Sequence, residues 1–184
     1  GSIPVIEALK DFPYIIVNAY TQDALKANNV PYYVGPMIEK HGYNMLDLMW
    51  QVWPDKKANL VAIEGAAGAA QTILMNQAFD EKFAGTEMKW LAKQNADWDS
   101  DKALAIMTDY LTTYGDEIDG IICHDGGSAA GAIAALKAAN IEPGKLPIIC
   151  AGSNKSVYEG IKAGYIYGTS TQDPGLEGAL VVEV

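Results

Sequence analysis

Residues 120–141, "GIICHDGGSAAGAIAALKAANI", change character abruptly. An apolar opening, Gly120 to Cys123, gives way to His124, Asp125 and two glycines, then to an alanine-rich run to which only helix is open. A strand apolar along its whole length is one buried on both faces. A strand followed at once by a helix is half of a βαβ unit. His124 and Asp125 are costly in a dry interior, so something beyond the strand must want them.

The same arrangement recurs on either side. Strand-like runs occur at 58–65 ("ANLVAIEG"), 88–95 ("MKWLAKQN"), 146–152 ("LPIICAG") and 165–172 ("YIYGTSTQ"). Helical stretches of suitable length separate them. The clearest is 99–115, where Leu104, Met107, Leu111 and Tyr114 form one stripe, Asp99 or Ser100 can cap the start and Gly115 can close the end. Upstream, 4–11 reads as a short helix and 13–18 as a strand. A polar link then leads to "PYYVG" at 31–35, and a helix from about Met37 carries Ile38, Met45, Met49 and Val52 before Pro54 ends it.

This alternation predicts an α/β fold, a parallel sheet with helices on both faces. Ligands of such sheets sit beyond the carboxyl ends of the strands. Those ends here are Glu64-Gly65, Gln94-Asn95, His124-Asp125, Gly152-Ser153-Asn154 and Thr171-Gln172, all polar or glycine after apolar interiors. Asp125 reads equally as the cap of the next helix and as a ligand contact. His124 is no capping residue and is expected to face the ligand.

Composition narrows the function. The chain has 184 residues, 49% of them apolar, enough for one good core. Its net charge is −10 and all 13 basic residues are lysine, which argues against nucleic acid as a partner. No apolar run reaches the roughly 18 residues of a membrane span, and the opening residues carry no signal peptide. Gly1-Ser2 and the final "GALVVEV" both read as cut ends. Cys123 and Cys150 occupy matching places in "GIICHD" and "PIICAG" and read as small buried hydrophobes, close together if their strands are neighbours.

Catalytic signatures are weak. "EGAAGAAQT" at 64–72 lacks both the phosphate-loop lysine and the GxGxxG spacing, and "AGSNKS" at 151–156 is not GxSxG. His41 and His124 are the only histidines and form no ligand set, so neither a metal nor a cofactor is expected. No two acids are placed for glycoside chemistry. Trp98, between two aspartates just past a strand end, is either a lid on the following helix or a flat face for the CH-rich side of a sugar ring.

Residues 94–141 and 146–180 resemble the ribose/galactose-type periplasmic sugar-binding proteins of ABC importers, including a Gln-x-Pro turn at Gln172 and Pro174. The resemblance runs from about residue 13 to the end. It implies one lobe of a type I periplasmic binding protein, a flavodoxin-like doubly wound sheet of order 2-1-3-4-5. Residues 1–20 would be a remnant of the N-terminal lobe, 21–35 the hinge crossing, and 36–184 the C-terminal lobe. Most of the first lobe would lie outside this chain.

The resemblance further implies that Trp98 stacks on a sugar ring, that His124 and Gln172 hold hydroxyls, and that Asn18 stands where the first lobe offers an Asp. Ser153, next to the fourth strand end, completes the expected set with Asp125. The family's arginines align with Met75 and Ala19 and its second-lobe Asp with Gly152, so charged anchors are missing. The implied protein is no enzyme. It is an extracytoplasmic binder of a small, neutral, sugar-like ligand, partnered by an importer's membrane permease. The same core also serves LacI-type regulators and extracytoplasmic sensors, and a flavodoxin-like enzyme is the remaining alternative.

Overall fold

The computed structural model describes residues 3–9, 11–17, 22–27 and 29–183. Its central feature is a parallel sheet of β3 (Lys57–Glu64), β4 (Glu87–Asn95), β5 (Gly120–Cys123), β6 (Ile148–Ala151) and β7 (Ile166–Ser170), in the order β4-β3-β5-β6-β7. Counted within the sheet, that order is 2-1-3-4-5. A second parallel pair, β1 (Ile16–Val17) and β2 (Tyr33–Val34), follows the short helix α1 (Ile3–Ala8). The polar link between them contains α2 (Gln22–Ala27), a helix with too few apolar residues to show a stripe.

Alternation along the strands divides the interior in two. Val61, Ile63, Ile121, Cys123, Ile148 and Cys150 face α5 (Ser100–Tyr114), α6 (Gly126–Ala138) and α7 (Lys155–Lys162). Leu60, Ala62, Ile122, Ile149 and Ala151 face α3 (Ile38–Val52) and α4 (Ala70–Phe83). The last helix, α8 (Pro174–Glu183), packs against β2. The alanine content of α6 has a steric cause, because α6 lies on the sheet between α5 and α7. A Cβ at Gly131 would come within 2.3 Å of the Ser100 carbonyl oxygen, so α5 and α6 cross almost backbone to backbone.

Side chains fix where the helices begin. Asp99 accepts from the Asp101 and Lys102 amides, Asp125 from those of Gly127 and Ser128, and Asn154 from Val157. In the α5 stripe Met107 is fully buried, joined by Ala103 and Tyr110, whose hydroxyl donates to the Ala62 carbonyl at 3.1 Å.

Cys123 and Cys150 are partners in the β5–β6 register, and both are free and buried. Burial pushes the Cys123 thiol well up and the Cys150 thiol up to about 11, so neither forms the reactive thiolate near neutral pH. Ellman's reagent at pH 8 should therefore release no thiolate from the native protein and should titrate both cysteines once denaturant is added. Rapid reaction of either thiol in the native state would show that the β5–β6 centre opens to solvent.

Candidate functional site

The five carboxyl ends form one rim. Trp98 stands on it in the loop between β4 and α5. The loop is held by Ala96 N–H donating to the Glu64 carbonyl (2.8 Å), Asp99 N–H to that of Ala96 (2.9 Å), and a Lys102–Asp97 ion pair of 2.8 Å. Asp97 and Trp98 have φ of 54° and 66°, a left-handed pair that is unfavourable for a bulky residue. Trp98 is 37% exposed. Its benzo edge covers the α-carbon of Gly65 at the end of β3, and its backbone carbonyl lies beside Gly127 at the start of α6. Trp98 thus spans the ends of β3 and β5.

The other expected residues fall in different places. Asp125 is engaged with α6: its carboxylate accepts from Gly127 N–H at 2.7 Å, Ser128 N–H at 3.2 Å, and the Ser128 hydroxyl. Ser153 donates to the Gln172 carbonyl, and the Gln172 amide donates to Glu177 at 3.3 Å. Gln172 also lines a cavity of about 280 Å³ with Val34, Pro36, His41, Asn44 and Glu177, on the β2 and α8 side of the rim. Trp98, Asp125 and Ser153 are not among its walls. Asn18 and Ala19 lie outside the described residues.

His124 requires a correction. It was expected to face a ligand, yet it is 0% exposed. The ladder continues one residue past β5, with His124 N–H donating to the Ile63 carbonyl at 3.0 Å. The side chain therefore keeps the phase of Ile122 and turns in under α4, its ring 6.2 Å from that of Phe79. Neither ring nitrogen has a hydrogen-bond partner. Desolvation, with a smaller contribution from Lys93, drives its pKa down to about 3.

One polar cluster escaped the sequence reading. Glu64, 7% exposed, accepts from Asn76 at 2.8 Å and from Asn95 at 3.3 Å, with Lys93 Nζ at 3.9 Å. Asn95 also donates to the Gly65 carbonyl at 2.7 Å. The β3–β4 register slips between Leu60 and Val61, leaving Leu91 unpaired as a bulge. Past the bulge the alternation of β4 is reversed, which puts Lys93 and Asn95 on the same face as Trp90 and Glu64. Of this cluster the sequence showed only Glu64 and Asn95, each closing a strand-like run. Met75, where the resemblance puts an arginine, is fully buried in the α4 core. Among the described residues no group of three or more His, Cys, Asp or Glu could hold a metal, and no helix is long and apolar enough to cross a membrane.

A family model described as a periplasmic binding protein domain matches residues 2–184. The chain belongs to the periplasmic binding protein family. Among relatives of this family, the xylitol-binding protein of Mycolicibacterium smegmatis is 30% identical over 124 residues, 66% of this chain and 34% of that protein. The ribose import binding protein RbsB of Haemophilus influenzae is 30% identical over 125 residues, 68% and 41% of the two chains. A periplasmic solute-binding protein from Actinobacillus succinogenes with bound D-allose superposes with a TM-score of 0.84 at 25% identity, over 98% of this chain and 65% of that one. One from Bacillus halodurans with bound myo-inositol gives 0.87 at 21% identity, over 100% and 63%. The matched regions span well under half of these two curated relatives. The fold is that of a type I periplasmic binding protein.

The orphaned imidazole makes stability pH-dependent. The unfolded chain binds a proton at His124 near 6.5, whereas the folded chain refuses it until about 3. Stability is therefore complete above pH 6.5 and is lost as pH falls below it, by about 1.4 kcal/mol per pH unit. His41 is also held low by burial and adds in the same direction, so the difference between wild type and His124→Leu isolates His124. Urea melts at pH 7 and pH 5 should show the variant losing clearly less stability than wild type. Parallel losses would place the ring in solvent.

Proposed function

We propose that this chain is the C-terminal lobe of the substrate-binding component of an ABC importer, and that it captures a small, neutral, sugar-like ligand on its carboxyl rim. It is a binding protein and not an enzyme, and it works outside the cytoplasm with a membrane permease. Residues 36–184 form the binding lobe, 21–35 the hinge, and 1–20 belong to the other lobe. Relatives named for xylitol and ribose, and solved structures holding D-allose and myo-inositol, support a polyhydroxylated ligand.

The observation that carries the reading is Trp98. A partly exposed indole held in a left-handed backbone over the end of β3 is an expensive arrangement for a mere lid. Its free area suits the CH face of a ring by dispersion. Ser153 and Gln172 supply neutral donors and acceptors at the next strand ends. Asp97 and Asp99 flank Trp98 in the sequence, Asp125 caps α6 at the neighbouring strand end, the chain has no arginine, and Lys155 is 88% exposed and directed to Glu159, so the rim disfavours an anion. His124, buried beneath α4, is left out of direct contact.

The test uses the two-lobe protein, because each lobe of a hinged trap supplies only part of the contact surface. Calorimetric titration with xylitol, D-ribose, D-allose, myo-inositol and their phosphorylated forms should find binding to a neutral compound, nearly independent of salt. Trp98→Ala should weaken it by roughly 1–3 kcal/mol while leaving the melting temperature of the free protein nearly unchanged. Preference for a phosphorylated compound that fades as salt rises would overturn the neutral-ligand reading. A large stability loss with affinity intact would make Trp98 a lid.

A further inference from the structure

We propose that Gly65 is the residue that positions Trp98, and that its bare α-carbon sets the height of the cleft floor and hence the thickness of ligand the lobe accepts. The proposal rests on the reading of Trp98 as the ligand platform, but its first test does not.

Gly65 follows Glu64 at the end of β3, so by alternation a side chain there would continue the row of Val61 and Ile63 toward α5 and α6. That space is taken by the indole. A Cβ at Gly65 would lie 1.8 Å from Trp98 Cη2, 2.1 Å from Cζ3 and 2.4 Å from Cζ2. Carbon atoms in contact settle at about 3.5–4.0 Å, so a single methyl group would have to lift the ring by roughly 2 Å. This is a packing requirement and not a conformational one, because Gly65 does not have a positive φ.

The backbone of Trp98 offers little room for that shift. It is tied on one side through Ala96 to the Glu64 carbonyl and on the other through the Asp99 cap of α5. Its carbonyl oxygen already lies 3.1 Å from the position a Cβ would take at Gly127. The Gly65 carbonyl is itself fixed by Asn95 Nδ2 at 2.7 Å, so the seat cannot retreat either. What remains free is the side chain, and rotation away from Gly65 carries the indole out over the rim. A residue other than glycine at 65 therefore raises the platform into the space a ligand would occupy. Gly65 and Trp98 act as one size-determining pair.

The first experiment needs no ligand. With 5-fluorotryptophan incorporated, the four tryptophans give four fluorine resonances, and the one missing in Trp98→Phe is that of Trp98. Gly65→Ala should move that resonance and leave those of Trp50, Trp53 and Trp90 in place. An unmoved Trp98 resonance in a folded variant overturns the proposal. Should Gly65→Ala not fold, adding Trp98→Phe, whose smaller ring leaves room for the methyl, should restore folding. Failure of the double variant as well would show that the methyl clashes with something other than the indole, and would overturn the proposal too.

The second experiment titrates xylitol and D-ribose into the two-lobe protein carrying each single variant and the pair. Gly65→Ala should weaken binding about tenfold when Trp98 is intact and have a much smaller effect in the Trp98→Phe background, the non-additivity expected of touching residues. Equal losses in both backgrounds would overturn the pairing. A moved Trp98 resonance without binding of any sugar by the wild type would leave Gly65 as the seat of Trp98 and would sink the functional reading instead.

Discussion

The structure depends on the double burial of β5. Gly120 to Cys123 are covered by α5 and α6 on one face and by α3 and α4 on the other, with β3 and β6 on either edge. Such a strand has no position for a polar side chain. Every polar group of this segment is displaced to its end, and the parallel order sends the ends of all five strands to the same side. The rim exists because the centre of the sheet excludes polarity.

Two demands meet on that rim. Helices α5, α6 and α7 begin immediately after strand ends, and their free amides need acceptors. Asp99, Asp125 and Asn154 meet that need, each just past a strand. A carboxylate that accepts two amides and a hydroxyl, as Asp125 does, has little capacity left for a ligand. On the proposed reading, ligand contact therefore falls to groups outside the capping scheme. An aromatic ring needs no hydrogen-bonding partner on its face, which makes Trp98 compatible with a loop whose polar atoms are already engaged.

Much of this was legible in the sequence, and the reasons it stops are specific. The five strands were found because each is an apolar run closed by a polar or glycine residue, and α5 because its stripe and caps agree. The helix α2 was missed because "QDALKA" carries no stripe. His124 was placed on the rim as one of the two polar residues closing its strand, whereas one further ladder bond preserves the alternation and turns the ring inward. The joining of Lys93 and Asn95 to Glu64 depends on the bulge at Leu91, which is set by pairing between strands and has no local mark in "MKWLAKQN". The contact of Gly65 with Trp98 links residues 33 positions apart, and only tertiary structure supplies it.

The absence of arginine gives these details a common direction. A charged anchor keeps much of its attraction for a slightly displaced ligand, because Coulomb energy falls only as the inverse of distance. A ring face and neutral amides do not, since dispersion and neutral hydrogen bonds fade within about an ångström of their optimum. On the proposed reading, Trp98, Ser153 and Gln172 must therefore hold their places before a ligand arrives. On the Trp98 side the restraining contacts are the Glu64–Asn76–Asn95 cluster, the Asp97–Lys102 pair and the indole against Gly65. In the proposed site, which has no arginine, selection would then rest less on charge than on the scaffold that fixes where an uncharged surface lies.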